Sequence, residues 1–241
     1  MVDVRPPSVL FGDLVPATFI ERPNRFIAHV EIAGKQCCAH VADPGRLTEL
    51  LIPGRTVHVK RFDDMTKRTT RCQVVLAEQG TNLVCIDTRV PNQLIGEALR
   101  QKAIPRFASY MTVKAEAKHG RSRFDFHLSD PVGGHPDVAW VEVKSVSLRR
   151  DRTGWFPDAP TTRGARHVRE LASLRRDGIR AGIIFLVQRD DVDEVRPERD
   201  MDPAFGDAID EAMAAGVEIV AFRSVVTTEG TTLGQEVPFR P

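Results

Sequence analysis

An all-β domain followed by an α/β domain is the fold class this sequence predicts. Three observations predict it. Up to about residue 88 the chain is a series of short alternating segments punctuated by Gly, Pro and Asn, which is how strands and tight turns read. Beyond that point apolar residues at helical spacing interleave with strand-like runs, the pattern of an α/β layer structure. The 241 residues carry 41% hydrophobic and 28% charged side chains, which suits one large or two small globular domains.

In the first domain, residues 1–88, Phe19 to Ile32 reads as a long strand interrupted at Arg22-Pro23-Asn24. Gly34-Lys35 turns it into Gln36 to Val41. Asp43-Pro44-Gly45 then opens a short helix, Arg46 to Leu51, with Asp43 as its cap and Pro53-Gly54 as its end. Thr56 to Phe62, Cys72 to Glu78 and Leu83 to Asp87 follow as strands. Five or six short strands with one small helix match a Greek-key barrel of the OB-fold type. Such barrels bind single-stranded nucleic acid through basic grooves. The candidate cations are Arg22, Arg25, Lys60, Arg61, Lys67, Arg68 and Arg71.

The second domain, residues 89–241, starts where Pro91-Asn92 precedes a helix, Gln93 to Lys102, with Leu94, Ile95, Ala98 and Leu99 on its inner stripe. A strand from Met111 to Ala117 and two further strands come next. A helix from Thr162 to Arg176 buries Ala165, Val168, Leu171, Ala172 and Leu174. Gly182 to Gln188 is a buried strand, Phe205 to Ala215 a helix, and Val217 to Phe222 a strand. The succession fits an α/β/α sandwich with a mixed central sheet.

The two strands in the middle carry the chemistry. In Arg-Ser-Arg-Phe-Asp-Phe (121–126) the period of two places Phe124, Phe126 and Leu128 on one face and Arg123, Asp125 and His127 on the other. In Trp-Val-Glu-Val-Lys (140–144) Val141 and Val143 share one face, and Trp140, Glu142 and Lys144 the opposite one. The turn-rich segment between them suggests a hairpin that gathers Asp125, Glu142 and Lys144. Two carboxylates can hold Mg²⁺ or Mn²⁺ when waters and a substrate phosphate complete the shell. The metal activates a water, and a lysine on the same face stabilises developing charge. The spacing is the D-x(n)-E-x-K pattern of restriction-endonuclease-like, PD-(D/E)xK nucleases. The same residues also form ordinary cross-strand ion pairs in other sheets.

Around this trio stand further candidates. Arg123 shares the face of Asp125 and is a candidate DNA contact. Thr161, Thr162, Arg163, Arg166 and His167 surround a helix start, where backbone N–H groups and hydroxyls bind phosphate. His167 reads either as a phosphate donor or as a packed histidine. Gln188, at a strand end, reads either as a group that orients water or substrate or as an amide satisfying the backbone.

Composition excludes several classes. There is no G-x-S-x-G elbow, no Gly-rich phosphate loop and no CxxC pair among Cys37, Cys38, Cys72 and Cys85, so buried free thiols are expected. No apolar run is long enough to span a membrane, and the N-terminus lacks a basic segment followed by an apolar one. A cytoplasmic protein is therefore expected, able to act at the nucleoid, with no membrane partner. Net charge is only +1, but Ser145 to Arg176 holds eight Arg against three acids, and Asp190 to Glu211 holds ten acids. Uneven charge of this kind suits an anionic polymer on one face or a solvated Arg-rich helix.

The ordered segments RPNRFIAHV, DPGRL, PNQLIGEAL, RSRFDFHL, VEVKSVSL, FPDAPTTRGARHVREL and IIFLVQRDD closely resemble the sugar fermentation stimulation protein A (SfsA) family. The resemblance runs from about Leu10 to about Phe239. It implies an OB-fold domain, a PD-(D/E)xK domain, DNA binding and a link to regulation of sugar catabolism, maltose use above all. It also implies a role for Glu97 as a helix glutamate that adds a metal or water contact. Ser145 and Ser147 depart from the family's usual Asn and Thr. The expected activity is Mg²⁺-dependent (or Mn²⁺-dependent) cleavage of DNA, with a non-enzymatic DNA-binding regulator as the alternative. Many nucleases of this class work as dimers, which adds a homodimer to the expected partners.

Overall fold

The first strand of the chain does not belong to the barrel that follows it. In the computed structural model, which describes residues 5–66, 69–120, 122–134 and 136–241, β1 (Ser8–Leu10) pairs antiparallel with β16 (Gly230–Val237), at the edge of the second domain's sheet. The chain then leaves for the barrel: β2 (Leu14–Asn24), β3 (Ile27–Ile32), β4 (Lys35–Val41), β5 (Thr56–Arg61), β6 (Cys72–Gln79) and β7 (Asn82–Cys85). Its order is β4-β3-β2-β5-β6-β7, and an additional β4–β6 pairing closes five of these strands on themselves. This is the OB barrel expected. Alternation explains its core: Phe19, Ala28, Val30, Ala39, Val41, Val57, Val59 and Val74 all point inward.

The helix expected at Arg46–Leu51 is absent. Leu47, Leu50 and Leu51 are buried at helical spacing, but they plug the barrel from a run of turns, with Leu47 at φ 51°. The guanidinium of Arg22 explains why. It donates to the carbonyls of Arg25, Asp43, Gly45 and Arg46 at 2.6–2.9 Å, so oxygens that a helix would use are already taken. Asp43 caps only its own turn, accepting from Gly45 N at 2.8 Å.

The second domain is a seven-stranded mixed sheet, order β1-β16-β15-β13-β10-β9-β8. It comprises β8 (Tyr110–His119), β9 (Ser122–Pro131), β10 (Val138–Val146), β13 (Arg180–Val187) and β15 (Glu218–Val226) besides β1 and β16. A small side sheet holds β11 (Arg149–Arg150), β12 (Thr153–Phe156) and β14 (Glu194–Pro197). β10, β13 and β15 run parallel and are almost wholly buried. Helix α1 (Val90–Arg100) covers one face with Leu94, Ile95, Ala98 and Leu99. Helices α2 (Thr162–Arg176) and α3 (Pro203–Ala214) cover the other. This is the expected α/β sandwich.

The two domains are pinned together. Arg189 is fully buried and donates to Gln79 of the barrel at 2.7 Å and to Asp191 at 2.8 Å. Asn82 of the barrel also reaches Asp191, at 2.7 Å. An apolar cluster of Phe11, Val75, Leu76, Cys85 and Val90 fills the seam beside them. All four cysteines are free. Cys72 and Cys85 are buried as expected, but Cys37 is only half-buried and Cys38 is exposed. Among the described residues no helix is long and apolar enough to cross a membrane.

Candidate functional site

Where β9 and β10 part, the site begins. Their ladder runs from Ser129/Val138 to Phe126/Val141 and stops there. At the next position Asp125 contributes its side chain instead: Oδ2 accepts from Val143 N at 2.7 Å. The strand turns as it does so. Phe126 and Leu128 pack under α1, whereas Phe124 packs on the opposite side against Trp140 and His167. Strict alternation would have put all three on one face, and the interrupted ladder is the reason it does not.

β10 keeps its alternation. Val141 and Val143 face α1, while Glu142 and Lys144 face the other way, 6% and 8% exposed. Lys144 Nζ donates to Glu142 Oε1 at 2.8 Å, and His167 Nδ1 meets the same oxygen at 2.8 Å. Glu142 Oε2 is buried with no hydrogen-bond partner. Burial alone would raise the pKa of Glu142. The charge of Lys144 and the bonds from His167 and Lys144 outweigh it and hold this carboxyl below its ordinary value. Asp125 is pushed up to about 6, first by burial and then by the charge of Glu142, against the opposing bonds and charges of Val143 N, Lys144 and Asn92.

Asn92 is a residue that sequence reasoning missed. Its Nδ2 donates to Asp125 Oδ1 at 2.7 Å. α1 can bring it there because Gly96, one turn on, lies against Phe126, where a Cβ would stand 3.1 Å from the ring. The proline-asparagine pair at the start of a helix was the available signal.

These groups floor a cleft of about 470 Å³ between the domains. Its barrel side is Arg25 with the Asp43-Pro44-Gly45 loop. Its other wall is Trp155 to Gly164, and Ser145 and Ser147 also line it. Asp158 crosses the seam: a Cβ on Gly45 would lie 1.8 Å from Asp158 Oδ2, so the carboxyl rests directly on the glycine. That oxygen is buried without a hydrogen-bond partner. Burial, then the charges of Asp43 and Glu49, push Asp158 up to about 7, with Arg22 opposing.

The remaining sequence candidates separate. Arg25, Thr161 and Arg163 line the cleft. Thr161 caps α2, accepting from Gly164 N at 3.1 Å. Arg166 lies in the neighbouring α2–α3 groove beside Glu170, so it does not share the cleft with Arg163. His167 is 2% exposed and cannot donate to a polymer; it holds Glu142 instead. Glu97 lies outside the cleft, beside Arg100 and Gln101. Arg123 is exposed and paired with Glu116 at 2.9 Å. Arg22 braces its loop, and Lys60 donates to Phe11 O at 2.9 Å. Gln188, 1% exposed, joins the domains: its backbone bonds Val146 O and Cys85 N, and its Nε2 reaches Asp87 O at 3.4 Å. Arg61 and Arg71 are exposed on the barrel, away from the cleft. Lys67 and Arg68 lie outside the described residues.

Fold and site together define a two-domain protein: an OB barrel locked to an α/β sandwich, with an Asp–Glu–Lys cluster at their seam. Residues 20–86 match the SfsA N-terminal OB domain, and residues 89–230 match the sugar fermentation stimulation protein RE domain. The chain belongs to the sugar fermentation stimulation protein family. It is 42% identical over 235 residues to the sugar fermentation stimulation protein homolog of Chloroflexus aurantiacus, covering 98% of this chain and 89% of that one. The homolog of Moorella thermoacetica is 44% identical over 212 residues, 88% and 90% of the two chains. The solved structure of Pyrococcus furiosus SfsA in complex with Ca²⁺ superposes with a TM-score of 0.88 at 29% identity, covering 98% of this chain and all of that one.

Proposed function

We propose that this chain is a divalent-metal-dependent nuclease that cleaves DNA phosphodiesters at the seam between its domains. The observation that carries the reading is Glu142 Oε2: a buried, unpartnered carboxylate oxygen beside a second carboxylate, with Lys144 fixed on the other oxygen. Burying such a group without a partner is costly, and the like charge of Asp125 adds to the cost. A divalent cation would relieve both. Among the described residues no three His, Cys, Asp or Glu form a metal cage. The donor set therefore fits Mg²⁺ or Mn²⁺, which keep waters and take substrate oxygens, rather than a closed structural site. The complex of the Pyrococcus furiosus relative with Ca²⁺, another oxygen-seeking cation, supports this choice.

Asp125 and Glu142 would hold the ion. When bound, it lowers the pKa of a coordinated water and withdraws charge from the phosphodiester. Lys144 stabilises negative charge as it builds on the phosphate. His167 and Lys144 fix the rotamer of Glu142, and Asn92 fixes that of Asp125. Arg163 and the capped start of α2 accept a flanking phosphate, and Arg25 accepts another from the barrel side.

A second reading is a DNA-binding regulator of sugar metabolism without turnover. It is favoured by the fact that both Asp125 oxygens already have protein donors. Calorimetry with Mn²⁺ and a cleavage assay on DNA separate the two. The nuclease reading expects metal binding that Asp125→Asn abolishes, together with metal-dependent strand scission. DNA affinity without metal affinity would leave the regulator.

A further inference from the structure

The shape and charge of the cleft point to a more specific substrate. We propose that, if the nuclease reading holds, the cleft takes one unpaired DNA strand, stacks a nucleobase on Trp155, and excludes an intact duplex. A volume of about 470 Å³ falls in the range of pockets that enclose a single small ligand, roughly 300–1,000 Å³. It suits one nucleotide. Glu142 and Lys144 are nearly closed off from solvent, so a phosphate must come down to them between the walls.

Those walls are held by fixed contacts. The Asp43–Gly45 loop is pinned by Arg22, and Asp158 rests on Gly45 from the far side. Arg189, Gln79, Asn82 and Asp191 lock the domains behind it. A duplex reaching the floor would have to straddle the contact between Asp158 and Gly45. A flexible strand can thread past it.

Charge gives an independent reason. Apart from the trio at the floor, the charged groups lining the cleft are Arg25, Arg163, Asp43 and Asp158. Two arginines serve the phosphates on either side of one bound nucleotide. Asp43 and Asp158 offer no positive charge to the phosphates of a second backbone.

Trp155 supplies the apolar contact. It lines the cleft from β12, and the Arg150 guanidinium lies 5.5 Å from its ring centroid, which steadies the ring. Aromatic platforms of this kind bind unpaired bases of any sequence and are blind to bases stacked within a duplex.

The test uses the full chain with Ca²⁺ present and fluorescence anisotropy as readout. The probes are a labelled oligonucleotide, its blunt duplex, and the duplex with a single-stranded tail. The single strand and the tailed duplex are expected to bind roughly ten-fold or more tightly than the blunt duplex. Trp155→Ala should lower single-strand affinity by roughly ten-fold and leave blunt-duplex affinity where it is, with Trp155→Phe restoring most of the loss. Equal affinity for strand and blunt duplex overturns the proposal, as does a Trp155→Ala loss shared equally by both. Mn²⁺ calorimetry on the same protein reports the nuclease reading separately. Strand preference without metal binding sinks that reading and leaves the strand site. Metal binding without strand preference does the reverse.

Discussion

Asn92, on the first helix of the second domain, donates its side-chain amide to Asp125 Oδ1 at 2.7 Å. The contact joins helix α1 to a carboxylate expected to hold the metal. Outer partners of this kind orient metal ligands. Asn92→Leu should leave the fold intact and weaken Mn²⁺ binding by roughly ten- to a hundred-fold. Calorimetry checks this, and an unchanged affinity would remove Asn92 from the site.

Lys144 separates binding from chemistry. Lys144→Ala should slow cleavage on the order of a hundred-fold or more, as for loss of one charge stabiliser, while leaving DNA affinity nearly unchanged. Single-turnover rates and anisotropy on the same variant give both numbers. A collapse of affinity would instead make Lys144 a phosphate anchor.

His167 is a positioning residue for Glu142. His167→Ala leaves a buried carboxylate short of one donor and should cost about 1–3 kcal/mol of stability. His167→Gln, which can still donate, should recover part of the stability and part of the cleavage rate. Urea melts and single-turnover assays on the pair check this. A rate that falls equally in both variants while stability recovers would mean that the imidazole itself takes part in the chemistry.

Asp158 makes stability depend on pH. Its folded pKa is about 7 against an ordinary 3.8, so the folded state favours the neutral carboxyl. This contribution is complete below about pH 4, is lost as pH rises toward 7, and is flat above that. Asp158→Asn keeps the group neutral. The variant should therefore gain stability over the parent between pH 4 and 7, by no more than about 4 kcal/mol. Denaturant midpoints across that range measure the difference. A difference that does not change with pH would show that the carboxyl is already ionised in the fold.

Gly45 is required by Asp158 rather than by its own backbone. Gly45→Ala should destabilise the protein by about 1–3 kcal/mol through overpacking at the seam. Adding Asp158→Ala should remove much of that penalty. A double-mutant cycle measures the coupling, and strict additivity would place the two residues out of contact.

What the sequence revealed and what it hid divide along physical lines. Glu142, Lys144 and the inner stripe of α2 were legible because a period of two or of 3.6 fixes which way a side chain points. Phe124 was misplaced because the β9–β10 ladder stops at Phe126, two residues short of it, and periodicity carries no sign of where pairing ends. Leu47, Leu50 and Leu51 imitate a helix because a plug in a barrel mouth buries leucines at the same spacing. Asn92 and the pair of Gly45 and Asp158 depend on close approach between segments far apart in the chain, which local pattern does not encode. The arginines were the hardest to read. Arg22, Arg123 and Arg163 look alike in sequence, yet one braces carbonyls, one pairs with Glu116 and one lines the cleft.

The pairing of β1 with β16 makes the α/β domain discontinuous in sequence, with the barrel spliced between its first strand and its first helix. The barrel is thus tethered at both ends to the same body. A protease that nicks only the connection near residue 88 would leave the barrel attached through β1, and its release would take a second cut near residue 12. A gene fragment ending at residue 88 would carry off a strand whose partner stays behind, and both products would show a raw sheet edge.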